Sequence, residues 1–218
     1  MVEEKIKKIY CLIKMGLYDD KQINKEESPE ISLKASDESR FEELTYGLSV
    51  EDSLIYLNGE IDEMTVLEVI GKFRTVLNNR EKENSKDPIN MIIDSPGGCA
   101  YSMFGIIDYI ENLDVKVNTI CRGRAMSAAA LILASGTGKR LASKRSTVML
   151  HEGSSVQVGK YSDLKVASKQ ADKMENMVRD LLAEKTKKDA NWWAENTKTD
   201  LWLNANEALD LGLIDDIG

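Results

Sequence analysis

Histidine occurs once in the 218 residues, and cysteine, proline and phenylalanine three times each. With a single imidazole, any mechanism that needs histidine must use His151. The cysteines, Cys11, Cys99 and Cys121, are scattered without CxxC spacing, which excludes a disulfide framework and a cysteine zinc site. A reducing, cytoplasmic compartment is the expectation that follows. No apolar run reaches the ~18 residues of a membrane span. The opening MVEEKIKKIYCLIKMGLYDD also lacks the compact apolar region and small-residue cleavage site of a secretory signal. Basic charge is short as well. Lys and Arg total 29 against 37 Asp and Glu, a net charge of −8, so a nucleic-acid or anionic-membrane binder is not expected. No GxxxxGK[ST] occurs, which excludes a phosphate-cradling P-loop.

What is present suits one globular domain with a short appended segment. Hydrophobic residues make up 42% of the chain, enough for a sizeable core. Ile6, Ile9, Ile13 and Leu17 recur at helical spacing, and residues 19–42 are polar and charged. Residues 1–45 are therefore expected to form an N-terminal helix and linker, and the main domain to span 46–218. Within it, strands are expected at DSLIYLN (ending at Gly59), INMIID, VKVNTIC (ending at Cys121), STVMLH and LWLN. Helices are expected over 62–79, 101–112, SAAALILAS (stopped by Gly136) and 162–187. The last carries Leu164, Ala167, Ala171, Met174, Val178 and Leu181 on one stripe. At 1.5 Å per residue it is nearly 40 Å long, so it is expected to project and pack on another subunit. Asn204 and Glu207 have capping-box spacing, with Gly212 as the stop. The alternation of strands and helices gives an α/β fold.

Three segments bear on chemistry. His151 ends an apolar β-type run and precedes a polar, glycine-containing stretch, where a side chain is displayed at a strand end; taken alone, a single histidine is more often a surface or satisfied structural residue. Ser127 lies where a strand and Gly123 lead into an apolar helix. It is either an N-cap or a nucleophile on a strand–turn–helix elbow, beside free amides at the positive helix end. The segment is not GxSxG. Asp94-Ser95-Pro96-Gly97-Gly98 reads as a turn whose glycines allow backbone amides to converge on an oxyanion. By itself it is also an ordinary turn.

In order and approximate spacing, SPGG at 95–98, GRAMSAAALILASG at 123–136, GTGKRLASKRSTVMLH at 136–151 and NANEALDLGLID at 204–215 resemble the proteolytic subunit of the Clp protease, the ClpP family. The resemblance covers residues 46–218; the first 45 do not match that family's usual N-terminus. It implies a ClpP/crotonase-like twisted sheet with surrounding helices and a protruding oligomerisation helix. Carried over residue by residue, the family's serine falls on Ser127 and its histidine, closing V-M-I-H, on His151. Its acidic residue falls on Asp200 in TKTDLWLNANEA, otherwise one acidic residue among 37. The oxyanion donors fall on the N–H groups of Gly98 and Ala128.

The resemblance thus implies a serine endopeptidase that cleaves unfolded polypeptides or peptides with no metal or organic cofactor. It also implies a homo-oligomer of heptameric rings, stacked in pairs as a tetradecamer, with a separate Clp-family ATPase as unfolding partner. This chain departs from the pattern at Glu152-Gly153, where the family has Gln-Pro, and at Lys198-Thr199, where it often has an Arg. Those positions bear on cleavage preference and ring stacking. The alternatives are an acyl-CoA-processing enzyme of the crotonase fold, and a non-catalytic or capsid-maturation-type ClpP-like subunit.

Overall fold

The computed structural model describes residues 46–218; the helix and linker expected over residues 1–45 lie outside the described residues. The described part contains eight strands and six helices in one α/β arrangement. Strand β1 is Leu48–Ser49 and β2 is Leu54–Ile61, which buries Ile55, Leu57 and Ile61 by alternation. Helix α1, Glu63–Glu83, starts at a capping box between Asp62 and Thr65, and Asn84 ends it in the left-handed region. Its Val69, Phe73 and Val76 are buried on one face. Strand β3, Ile89–Gly98, leads into helix α2, Ala100–Glu111, and β4, Val117–Met126, into helix α3, Ala128–Ala134. All seven residues of α3 are buried, so it is a core helix without a solvent face.

The remaining elements are β5 (Arg140–Ala142), β6 (Thr147–Leu150), α4 (Tyr161–Lys185), α5 (Ala190–Asn196), β7 (Leu201–Asn204), α6 (Ala205–Leu211) and β8 (Asp216–Ile217). The sheet runs β1-β2-β3-β4-β5-β8, parallel apart from the β1–β2 edge. Strand β4 is shared. Thr119–Cys121 pairs with β5, whereas Arg124–Met126 pairs with β6, which in turn pairs antiparallel with β7. The sheet therefore forks at the C-terminal end of β4.

Three strands run further than periodicity predicts. Strand β2 continues past Gly59, β3 through the SPGG segment, and β4 past Cys121 and Gly123. The ladder slips between Asn58 and Glu60 and between Ile93 and Ser95. Those irregularities break the two-residue alternation and admit glycine and proline without ending the strand. SPGG is thus strand, not an isolated turn. Gly136 is likewise not a left-handed stop. Ser135 caps α3 at φ −95°, and a Cβ on Gly136 would overlap the Thr119 hydroxyl, so close approach requires the glycine. The capping box at Asn204 and Glu207 and the left-handed Gly212 are found as expected.

Helix α4 has the 25 residues expected, yet only Leu182 is buried. Leu164, Ala167, Met174, Val178 and Leu181 are half-covered and Ala171 is exposed. Among the described residues no helix is long and apolar enough to cross a membrane.

Candidate active site

Ser127 sits between β4 and α3 with φ 50° and ψ −122°. Positive φ is uncommon for a residue with a Cβ, and such strain persists only when the surroundings impose it. Here they do. The Ser127 N–H donates to the Met149 carbonyl at 2.7 Å, continuing the Met126–Met149 register of β4 with β6. Its own carbonyl accepts the N–H groups of Ala130 and Leu131 and begins α3. The side chain makes no capping hydrogen bond, so the N-cap alternative for this hydroxyl does not hold. The residue is half-buried at the fork of the sheet. Ala128 is the first residue of α3, and the amides of a first turn have no acceptor within their helix.

The two glycines of β3 are clamped from opposite sides. A Cβ on Gly97 (φ +91°) would stand 2.5 Å from the Met126 carbonyl oxygen, 2.9 Å from Ser127 Cβ and 3.1 Å from Ala128 N. A Cβ on Gly98 (φ +151°) would overlap the backbone of Ile61. Gly97 therefore lies against the nucleophile segment, and Gly98 rests on β2. The sequence marks both glycines as permissive turn residues, and adjacent glycines carry no mark of which faces what. Just before them, the Asp94 carboxylate accepts the Arg124 N–H at 3.3 Å and fills the space beside Gly123. It ties β3 to β4 one turn short of Ser127.

His151 directly follows β6 and Asp200 directly precedes β7. Leu150 pairs with Leu201 as the last pair of the antiparallel ladder, so His151 and Asp200 are the first residues beyond it on the two strands. The Glu152 N–H reaches the Thr197 carbonyl at 2.7 Å beyond them. Ser127 thus follows β4 and His151 follows β6, its ladder partner, while Asp200 precedes β7 on the far side of β6. No hydrogen bond joins Ser127 to His151, or His151 to Asp200. Instead, His151 Nδ1 lies 2.6 Å from the Glu152 carbonyl oxygen. A carbonyl only accepts, so Nδ1 is the donor in this contact.

The thiols nearby differ in kind. Burial pushes the Cys121 thiol up to about 11, which makes it inert. Cys99, exposed and next to Gly98, is held below its ordinary value, chiefly by the Ser102 backbone N–H at the start of α2. Among the described residues no group of three or more His, Cys, Asp or Glu side chains is gathered as metal ligands would be.

Comparison with known proteins converges on the same segments. The family model described as Clp protease matches residues 37–218, beginning somewhat ahead of the expected residue 46. Among curated proteins, the ATP-dependent Clp protease proteolytic subunit 2 of Mycobacterium tuberculosis is 33% identical over 175 residues, 79% of this chain and 80% of that protein. The proteolytic subunit 1 of Mycolicibacterium paratuberculosis is also 33% identical over 175 residues, 79% of this chain and 81% of its own. A family match over most of the described chain, together with relatives at this identity and coverage, is decisive: the chain belongs to the Clp protease family.

Proposed function

We propose that this chain is a serine endopeptidase in which Ser127 is the nucleophile, His151 the general base and Asp200 the group that orients the charged imidazole. The observation that carries the proposal is the conformation of Ser127. It is a strained serine at a strand–helix junction, its hydroxyl unused for capping and a glycine backbone packed against it. A serine held that way without a function would cost stability for nothing.

The steps follow from the atoms available. His151 Nε2 takes the Ser127 hydroxyl proton as Oγ attacks the scissile carbonyl carbon. The N–H groups of Gly98 and Ala128 stabilise the oxyanion, contributing about 3–4 kcal/mol, or 10²–10³ in rate, per donor. The intermediate collapses, the C–N bond breaks, and the departing amine receives the proton from Nε2. Water then repeats the sequence on the acyl-enzyme. While Nδ1–H points at the Glu152 carbonyl, the tautomer is already the one the base requires. A rotation of the ring that brings Nδ1–H to the Asp200 carboxylate replaces a neutral acceptor by a charged one as the imidazolium forms.

The wider setting is proposed from the relatives. Their names print "ATP-dependent" and "proteolytic subunit". We infer a homo-oligomeric ring of seven, stacked in pairs, that receives unfolded polypeptide from an ATPase partner. The exposed Val156, Val158, Tyr161 and Val166 around the start of α4, with the half-covered stripe of that helix, support contacts between copies. Glu152 and Gly153 stand at the edge where a peptide would add as a strand. Hydrolysis of a fluorogenic peptide by the assembled chain tests the proposal, with loss of turnover in Ser127→Ala as the expected result. Undiminished turnover in Ser127→Ala would refute it.

A further inference from the structure

Ser95 is fully buried, and its hydroxyl makes two hydrogen bonds. It donates to the Gly59 carbonyl at 2.6 Å and accepts the Gly97 N–H at 3.1 Å. Both partners are backbone groups at places where the ladder is irregular. Gly59 (φ +79°) lies at the slip between β2 and β3, and Ser95 itself resumes pairing with Ala125 after the slip between β3 and β4. The hydroxyl therefore replaces sheet hydrogen bonds at the point where β3 leaves regular register. Apolar alternation would place a hydrophobic side chain here, and none could satisfy these two groups.

The consequence lies one peptide further along. Gly97 has no Cβ to fix its backbone; its N–H bond to Ser95, its pairing with Glu60 in β2 and its contact with Met126–Ala128 hold it at φ +91°. The orientation of Gly97 sets the next peptide plane, which carries the Gly98 N–H. We propose that Ser95 is a positioning residue for catalysis: its hydroxyl fixes the glycine pair so that the Gly98 amide faces the oxyanion formed at Ser127. This rests on the proposed serine-peptidase chemistry and adds a residue that does not itself touch substrate.

The role is tested with the full-length, assembled chain carrying Ser95→Ala and, separately, Ser95→Cys, whose thiol is a weaker donor and acceptor of similar size. Misplacing a catalytic group by about 1 Å costs up to ~10²-fold, and losing one oxyanion donor ~10²–10³-fold. The expected result for Ser95→Ala is a kcat lower by roughly 10- to 100-fold with KM within about twofold, since the donor acts in the transition state. Affinity for a peptidyl boronate, whose adduct bears the oxyanion, should fall by a similar factor, while affinity for a cleaved peptide product is unchanged. Ser95→Cys should lie between wild type and Ser95→Ala, and it carries the test alone if the alanine variant does not assemble. A kcat within twofold of wild type, or a loss expressed in KM with boronate affinity intact, overturns the positioning role while leaving Ser127 as nucleophile. A wild-type chain that neither hydrolyses peptide nor reacts at Ser127 overturns the underlying chemistry, and this inference with it.

Discussion

At Gly97 the whole site depends on a missing methyl group. The nearest atoms to any Cβ there belong to Met126, Ser127 and Ala128, so Gly97→Ala must either push the nucleophile segment away or distort β3. The positive φ adds strain of about 1–3 kcal/mol. We expect Gly97→Ala to lower the denaturant midpoint by that equivalent and to slow acylation far more than its stability loss explains, read as labelling rate against chemical unfolding. At Ser127 and His151 the effect should be near-complete. Either alanine variant removes a member of a unit that acts together, and kcat for peptide hydrolysis should drop about 10⁴–10⁶-fold. His151 was singled out in the sequence because the chain has no second imidazole, and Ser127 because a polar residue interrupts the passage from strand to apolar helix. Asp200 was not, apart from the family likeness. Only the β6–β7 ladder, a contact between distant segments, brings its strand beside the strand that precedes His151. The Nδ1 contact with the Glu152 carbonyl was equally illegible, since it depends on how the chain turns after β6.

Among the elements, β4 determines where chemistry can occur. Because its first half pairs with β5 and its second with β6, the sheet opens at Met126, and α3 enters the core beneath that opening. Helix α3 is made of alanine and aliphatic residues alone because β3, β4 and α2 leave no room for more. Enlarging it should be destabilising: Ala130→Leu adds volume where exposure is zero and should cost about 1–3 kcal/mol by denaturant unfolding. A loss below about 0.5 kcal/mol would show the packing here to be looser than described. The long helices were readable from the 3.6-residue period, and α4 came close to its expected bounds, whereas the two-turn α5, Ala190–Asn196, was not expected. Strand ends were not. Strands β2, β3 and β4 run on through glycine and polar residues because Ser95, Asp94 and the ladder slips satisfy the backbone there, and alternation carries no signal of that.

At the scale of the whole molecule, the neighbouring strands β5 and β8 at one edge of the sheet are tied by charge. The Arg140 guanidinium bonds both oxygens of Asp215, whose carboxyl is held below its ordinary value of 3.8 mainly by that bond. A depressed carboxyl contributes stability that is complete above the unfolded value and is lost as pH falls through the folded one. The pair is partly exposed, so about 0.5–1 kcal/mol is expected. Asp215→Asn should melt below wild type at neutral pH, and the gap should narrow as pH falls below the ordinary carboxyl range; a gap independent of pH would contradict the pairing. Assembly belongs to this scale too. Exposed Val156, Val158 and Tyr161 in a chain of net charge −8 call for covering by other copies, and native mass measurement should give a multiple of the chain mass, expected as seven or fourteen. A monomer at micromolar concentration would contradict that expectation.

The central claim is that one hydroxyl, activated by the only imidazole, attacks acyl centres. A serine-directed fluorophosphonate tests it most directly, because the exposed Cys99 thiol beside the site would confuse a thiol-reactive probe. Peptide mapping of the labelled, assembled chain should find one modification, at Ser127, absent in Ser127→Ala and slowed at least 10³-fold in His151→Ala. Labelling elsewhere, or none at Ser127 in the wild-type assembly, would contradict the account.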